Sequence, residues 1–144
     1  MTSPLQPLRG SLHHVELRVG ALADSIPSWG WLLEALGYEQ FRRWADGISW
    51  RFGSIYLVLE SSPVNGLHDR RMPGLSHLAF HAGSRAQVDA LWTAAPGHGW
   101  ARLYEDRYPW AGGAPAPDSP GHYAAFIENG EHFKIELVAS PETT

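Results

Sequence analysis

The feature that most constrains this chain is an internal repeat. Residues 12–20 read LHHVELRVG and residues 75–83 read LSHLAFHAG, so the two segments share Leu, His and Gly at the first, third and ninth positions. Apolar residues also match at the fourth, sixth and eighth positions. The repeat indicates that one folding unit occurs twice and that the two shared histidines occupy equivalent places.

The alternation within both segments is typical of β-strands, in which successive side chains point to opposite faces. In the first segment Val15, Leu17 and Val19 share one face, and His14 lies on the other. The second segment divides in the same way and leaves His77 opposite its apolar residues. Two copies packed face to face would direct both imidazoles into one cavity, and paired imidazoles suggest a metal site.

The pattern after the first segment predicts a helix over 24–36, with Asp24 or Ser25 as its N-cap and Pro27 in its first turn. After the second segment, the spacing of Ser84 and Gln87 predicts a capping box and another helix. Alternation and turn residues predict the strands that follow. These lie at 38–44, 48–52, 55–60, 100–107, 122–128 and 132–139.

The predicted fold class is therefore α+β, with two βαβββ modules in one domain spanning residues 1–144. The modules cover about 11–62 and 74–140, and a linker covers 63–73. Their strands are expected to form a curved mixed sheet around a polar cleft, backed by the helices. The long connection 108–121 is typical of a lid or an interface arm.

Composition narrows the range of partners. The formal charge of −4 gives no reason to expect nucleic acid or an anionic membrane surface, which call for basic patches. No stretch approaches the ~20 apolar residues that span a bilayer, and the N-terminus has no apolar signal segment, so a cytoplasmic location is expected. The chain has no cysteine, which excludes disulfides and thiolate metal sites. A small-molecule substrate fits these properties.

The last predicted strand supplies a third candidate ligand. Its alternation puts Phe133, Ile135 and Leu137 on the apolar face and Glu136 on the opposite face. Two neutral imidazoles and a carboxylate on rigid strands suit one divalent cation with open coordination positions, such as Mn, Fe, Co, Ni or Zn. The predicted metal ligands are His14, His77 and Glu136.

Glu60 is a further candidate, and the repeat bears on its role. Aligning the two Ser-Pro pairs at 62–63 and 140–141 puts Val58, and not Glu60, opposite Glu136. Glu60 then lies on the cavity face but about 7 Å further along its strand. It is predicted either to act as a cavity carboxylate and general base or, if the strand is bulged, as a fourth ligand.

Aromatic and basic side chains near the predicted cavity are candidates for substrate binding, with structural roles as the alternative. They are Trp50, Tyr56, Arg107, Tyr108, Trp110 and Tyr123. His122 and His81 could also line the cavity, and each could equally be structural.

Five segments together resemble one known group of proteins. They read LHHVELRV (12–19), WLLEALGY (31–38), LSHLAF (75–80), HYAAF (122–126) and KIELV (134–138). The chain from Leu12 to about Ser140 resembles the vicinal oxygen chelate superfamily, the glyoxalase/bleomycin resistance/dioxygenase group. The resemblance implies paired βαβββ modules, a cleft with a divalent metal, and a homodimer. It also implies that two neighbouring substrate oxygens chelate the metal, which acts as a Lewis acid.

The resemblance matches the ligands on the first, fifth and eighth strands to His14, His77 and Glu136. Glyoxalase I has a fourth, glutamate ligand on strand four, where this chain has Val58, so the set is more similar to fosfomycin resistance thiol transferases or extradiol dioxygenases. The Asp-Pro-Asp-Gly turn usual in the family is replaced by residues 129–132. The expected function is metal-dependent lyase, thiol transferase or dioxygenase chemistry on a small oxygenated substrate. The alternative is a metal-free drug- or metabolite-binding protein of the bleomycin resistance type.

Overall fold

The computed structural model describes residues 6–142 of the chain. Residues 1–5 and 143–144, the ends of the predicted domain, lie outside the described part. The chain divides into two compact units, with the boundary between Asn65 and Gly66. This boundary lies within the predicted linker. None of the helices within residues 6–142 is long and apolar enough to cross a membrane.

Unit 1 is a βαβββ module whose four strands form one mixed sheet in the order β1-β4-β3-β2. Strand β1 runs parallel to β4, and the other pairs are antiparallel. The elements are β1 (His14–Val19), α1 (Leu22–Ala35), β2 (Glu39–Trp44), β3 (Gly47–Phe52) and β4 (Ile55–Ser61). The parallel pair joins the two strands that carry the predicted polar residues of this module.

Helix α1 begins two residues before the predicted start, because Leu22 is buried and the Ser25 amide already donates to the Ala21 carbonyl. The N-cap is therefore Ala21, with no side-chain cap, and not Asp24 or Ser25. The Ser25 hydroxyl also donates back to the Ala21 carbonyl at 2.8 Å. Pro27 consequently lies inside the helix and not in its first turn.

Apolar side chains of α1 and of one sheet face form the core of unit 1. They include Leu17, Val19, Trp29, Leu32, Leu33, Ile48, Leu57 and Leu59. Trp50 belongs to this core and is 1% exposed. A Cβ on Gly30 would lie 3.5 Å from the Trp50 ring, an ordinary van der Waals distance, so α1 packs on the sheet at this point.

Unit 2 repeats the module, with strand order β5-β8-β7-β6 and β5 parallel to β8. The elements are β5 (Leu78–His81), α2 (Arg85–Ala94), β6 (Trp100–Leu103), β7 (Ala124–Asn129) and β8 (Lys134–Val138). The predicted capping box is present, because Ser84 Oγ accepts from the Gln87 amide and Gln87 Oε1 accepts from the Ser84 amide. The two mixed sheets and two helices confirm the α+β class.

All four strands of unit 2 are shorter than predicted, β5 and β6 most of all. Strand β5 begins at Leu78, so His77 lies just before it. Strand β6 ends at Leu103 because Tyr104 adopts a left-handed conformation with φ of 58° and starts a short 3-10 helix. At the turn before β8, Asn129 Oδ1 accepts from the amides of Glu131 and Phe133, so this side chain holds the turn.

Candidate functional site

The polar face of the unit 2 sheet is set by strand register. Glu136 on β8 pairs with Ala79 on β5 and Phe126 on β7, so side chains at these positions share one face. The carboxylate is buried, since Glu136 is only 8% exposed. Burying a carboxylate is costly unless hydrogen bonds satisfy it, and two imidazoles provide them.

Both oxygens of Glu136 face an imidazole nitrogen. His77 Nε2 lies 3.1 Å from Oε1, and His122 Nε2 makes a short contact with Oε2. Ser76 Oγ lies 3.0 Å from the other ring nitrogen of His77, which fixes the orientation of that ring. We call His77, His122 and Glu136 the Glu136 cluster.

The long connection before β7 positions His122. The His122 amide donates to the Gly113 carbonyl at 2.8 Å. A Cβ on Gly112 would lie 2.5 Å from His122 Cδ2, so the loop backbone covers the imidazole closely at this glycine. The connection 108–121 thus packs on the Glu136 cluster through residues without side chains.

A second polar pair lies on the same face of unit 2. Lys134 Nζ donates to Tyr104 Oη at 2.9 Å, and we call these two residues the lysine pair. The hydrogen bond from Lys134 lowers the pKa of the Tyr104 phenol; burial opposes this effect, and the positive charges of Lys134, Arg70 and Arg107 reinforce it. The Phe126 ring lies between the two groups, 6.3 Å from the His77 ring and 5.1 Å from Lys134 Nζ.

In unit 1, the register also sets a polar face. His14 pairs with Tyr56, and two residues further on Glu16 pairs with Val58. In unit 2 the pairing of Leu78 with Ile135 places His77 opposite Lys134, and two residues further on lies Glu136. Val58 therefore occupies the position equivalent to Glu136, as the Ser-Pro alignment predicted.

Glu60 lies one pleat beyond Val58 and makes an ion pair with Arg18, with 3.5 Å between Oε1 and the nearest guanidinium nitrogen. A cavity of about 430 Å³ opens on this face of unit 1. It is lined by His14, Glu16, Phe41, Arg42, Trp44, Ser49, Tyr56 and Val58. The carboxylate of Glu60 is not among the lining groups.

The predicted metal ligands divide between the units, because His14 belongs to unit 1 and the other two belong to unit 2. The structure brings His77 and Glu136 together and adds His122. Within residues 6–142, no group of three or more His, Asp or Glu side chains is arranged to hold one ion. The convergence of the three predicted ligands on one ion stays a prediction.

The predicted substrate-binding residues lie in different surroundings. Trp50 is in the core of unit 1, so we leave it out of the site, whereas Tyr56 lines the unit 1 cavity. In unit 2, the hydroxyls of Tyr108 and Tyr123 both donate to Asp89 Oδ1 on α2.

Trp110 lies at the same helix-facing cluster, with its ring centroid 5.4 Å from that of Tyr123. Burial, followed by the hydrogen bond to the Asp89 carboxylate, raises the pKa of both phenols, Tyr108 more strongly than Tyr123. Tyr123 and His122 are adjacent in the chain but have different partners, Asp89 on α2 and Glu136 on β8. The Arg107 guanidinium lies 4.8 Å above the Tyr104 ring, beside the lysine pair.

Sequence reasoning missed two residues of the polar face. Lys134 lies two residues before Glu136, so strand alternation puts both on one face, but no partner in the sequence indicates a role for Lys134. Tyr104 fell inside a predicted strand, and only its left-handed backbone brings it to Lys134. The one available signal was that Lys134 is the single lysine of the chain.

Comparison with known proteins supports this architecture. No family model matches the chain. The Bacillus subtilis protein YqjT, which is uncharacterized, is 43% identical over 131 residues, or 89% of this chain and 98% of that protein. A crystal structure from Bacillus halodurans, of a protein provisionally assigned as a glyoxalase, is 44% identical. The match covers 92% of this chain and 97% of that one, with a TM-score of 0.83.

The chain belongs to the glyoxalase/bleomycin resistance/dioxygenase family of the vicinal oxygen chelate superfamily. A glyoxalase/bleomycin resistance protein from Albidiferax ferrireducens shares the fold at 20% identity and a TM-score of 0.69, covering 90% of this chain and 98% of that one. The resemblance drawn from the five sequence segments is confirmed. In family terms, His77 precedes the fifth strand, and Glu136 lies in the eighth.

Proposed function

We propose that this protein is a divalent-metal-dependent enzyme that acts on a small oxygenated substrate, with lyase, thiol transferase or extradiol dioxygenase chemistry. The observation that supports the proposal is the Glu136 cluster, in which a buried carboxylate faces imidazole nitrogens on both of its oxygens. The family membership supports an enzyme of this type.

The donor types of the Glu136 cluster fit such a metal. Imidazole nitrogen and carboxylate oxygen are ligands that suit divalent Mn, Fe, Co, Ni and Zn. His77 and Glu136 would hold the ion together with His14 from unit 1. A bound divalent ion would act as a Lewis acid that polarises a substrate oxygen.

The chain's own residues would prepare this site. Ser76 orients the His77 ring, and His122 holds the second oxygen of Glu136, so both proposed ligands have fixed geometry. The Phe126 ring offers an apolar surface beside the carboxylate. Glu60 is our candidate for a general base, and Tyr56, Arg107, Tyr108, Trp110 and Tyr123 remain candidates for substrate binding or for shaping its surroundings.

The second candidate function is metal-free binding of a drug or metabolite. The cavity of unit 1 favours it, because Phe41, Trp44 and Tyr56 give that cavity an aromatic lining and the first two are partly exposed. Aromatic side chains supply large contact areas to flat organic ligands. Such a protein would sequester its ligand without turning it over.

Metal analysis separates the two functions. Tag-free protein reconstituted with Mn, Fe, Ni and Zn in turn is expected to retain about one equivalent of at least one metal. Glu136→Gln removes a charged ligand while keeping the side-chain size, and should lower the metal affinity by more than about tenfold. The matched control is Glu105→Gln, at an exposed position. This variant should bind the metal with the affinity of the wild type. Retention of less than about a tenth of an equivalent by wild-type protein would leave only the binding function.

A further inference from the structure

The lysine pair is held on the polar face of unit 2 by an unusual backbone. Leu103 pairs with Phe126 and shares its face, so a regular strand would turn the next residue, Tyr104, towards the opposite face. The left-handed conformation of Tyr104 reverses this direction and brings its hydroxyl to Lys134. Left-handed backbone is unfavourable for a bulky residue, and such strain is concentrated at functional sites.

The carboxylate that the strand register places opposite Lys134 is held by other residues. Glu128 pairs with Lys134 across β7 and β8, but Arg70 and His132 contact its two oxygens. Within residues 6–142, Lys134 and Arg107 make no ion pair with Asp or Glu. Both cations instead lie over the Tyr104 ring, at 4.9 and 4.8 Å. The nearby Arg70 differs, because Glu128 binds it at 2.9 Å. A half-buried ammonium without a counter-ion favours an anionic ligand.

Two donors of the lysine pair remain available. Lys134 has three ammonium protons and uses one for Tyr104 Oη. The Tyr104 hydroxyl accepts that bond, and its own proton goes to no acceptor in the described part of the chain. An ammonium and a phenol with free protons at one point can both donate to the same oxyanion.

We propose that Lys134 and Tyr104 bind the oxyanion of a small ligand, a carboxylate or phosphate group, at one end of the polar face. The Phe126 ring lies between this pair and the Glu136 cluster. Lys134 and Glu136 are two residues apart on β8. Their backbones are therefore separated by about 7 Å along the strand. A compact molecule with an anionic group at one end and oxygens at the other fits this spacing.

The inference rests on the proposed function in one respect, namely that the oxygens at the other end of the ligand lie at the metal site. Anion binding by the lysine pair needs no metal, so we test it on metal-free protein dialysed free of chelator. Because Lys134 is the single lysine, labelling with ¹³Cε-lysine gives one side-chain NMR signal and leaves all three ammonium protons in place. Loss of a signal in Lys134→Met assigns it.

The probes are pyruvate and acetate for the carboxylate and inorganic phosphate for the tetrahedral oxyanion. Saturable displacement of the Lys134 signal is expected with at least one of them, at a dissociation constant of about 1 mM. Ligand-observed NMR on unlabelled protein then compares the affinities of the variants. Tyr104→Phe and Lys134→Met should each weaken binding about tenfold or more.

The matched control is Arg71→Gln, which also removes one positive charge but lies at an exposed ion pair with Asp69. The dissociation constant of this variant should stay within about twofold of that of wild type. An equal loss of affinity in this control would show that the effect comes from net charge alone. No saturable displacement by any of the three anions would overturn the inference. Intact anion binding without metal uptake would instead overturn the proposed function, and metal uptake without anion binding would overturn only the inference.

Discussion

Asp89 shows how one surface carboxylate can position a long connection. It accepts hydrogen bonds from the hydroxyls of Tyr108 and Tyr123, which lie before and after the long connection. The Tyr108 ring also stacks on Trp92 of α2, with centroids 4.1 Å apart. These contacts fix both ends of the connection to α2.

The loss of stability caused by Tyr108→Phe should depend on pH. Burial and the Asp89 carboxylate raise the pKa of the Tyr108 phenol above its unfolded value of 10.0. A raised folded-state pKa gives stability that is fully present below pH 10.0 and is lost as pH rises towards the folded-state value. We expect the variant to lose about 1 kcal/mol at neutral pH.

This difference in unfolding free energy between wild type and Tyr108→Phe should shrink above pH 10.0, as measured by urea unfolding at increasing pH. A difference that stays constant across the alkaline range would show that the Asp89 bond does not control the phenol. Tyr108 would then be held on α2 by stacking on Trp92.

Among the elements, α2 has the most closely specified start. Gly83 precedes it with φ of 89°, and a Cβ there would lie 2.1 Å from Gln87 Oε1. The capping box therefore needs a residue without a side chain before Ser84. The repeat shares this glycine with position 20, but the left-handed requirement is seen only at Gly83. The two glycines therefore match in the sequence repeat but have different structural roles.

Gly83→Ala is expected to destabilise the protein by about 1–3 kcal/mol, because it combines an unfavourable φ with a clash at the capping box. Thermal or urea unfolding measures the loss. Gly97→Ala is the matched control, since Gly97 has no left-handed backbone and open space around it. Equal stability changes in the two variants would show that Gly83 has no special role at the helix start.

For the whole molecule, the proposed ligand set requires both units. His14 and His77 occupy equivalent positions of the repeat, and the register gives each a partner position on the last strand of its own module. Two residues beyond these partner positions, unit 2 has the carboxylate of Glu136, whereas unit 1 has Val58. The duplicated fold thus carries one proposed ligand in the first unit and two in the second.

His14→Ala is expected to lower metal affinity by more than about tenfold, although the residue lies outside the unit that holds Glu136. Metal titration followed by equilibrium dialysis measures this, with His98→Ala as a surface control. Unchanged affinity in His14→Ala would confine the ligands to unit 2. Sedimentation of the same samples tests the homodimer that we expect for this family.

Much of the fold could be predicted because its signals are local. Alternation gave the strand faces, and the Ser-Pro alignment gave the equivalence of Val58 and Glu136, which the register confirms. The bond from His122 to Glu136 was beyond prediction, because it depends on the path of the preceding connection. The lysine pair was also beyond prediction. It forms only because Tyr104 adopts a left-handed backbone, and the periodicity of the sequence does not indicate where such a residue occurs.

Strand β8 carries Lys134 and Glu136 on one face, while the residue between them, Ile135, is fully buried on the other. Inserting or deleting one residue upstream of both within the strand would move this isoleucine towards the cleft and both charged groups into the apolar layer together. The register of this one strand therefore decides at once whether the carboxylate and the ammonium both face the cleft.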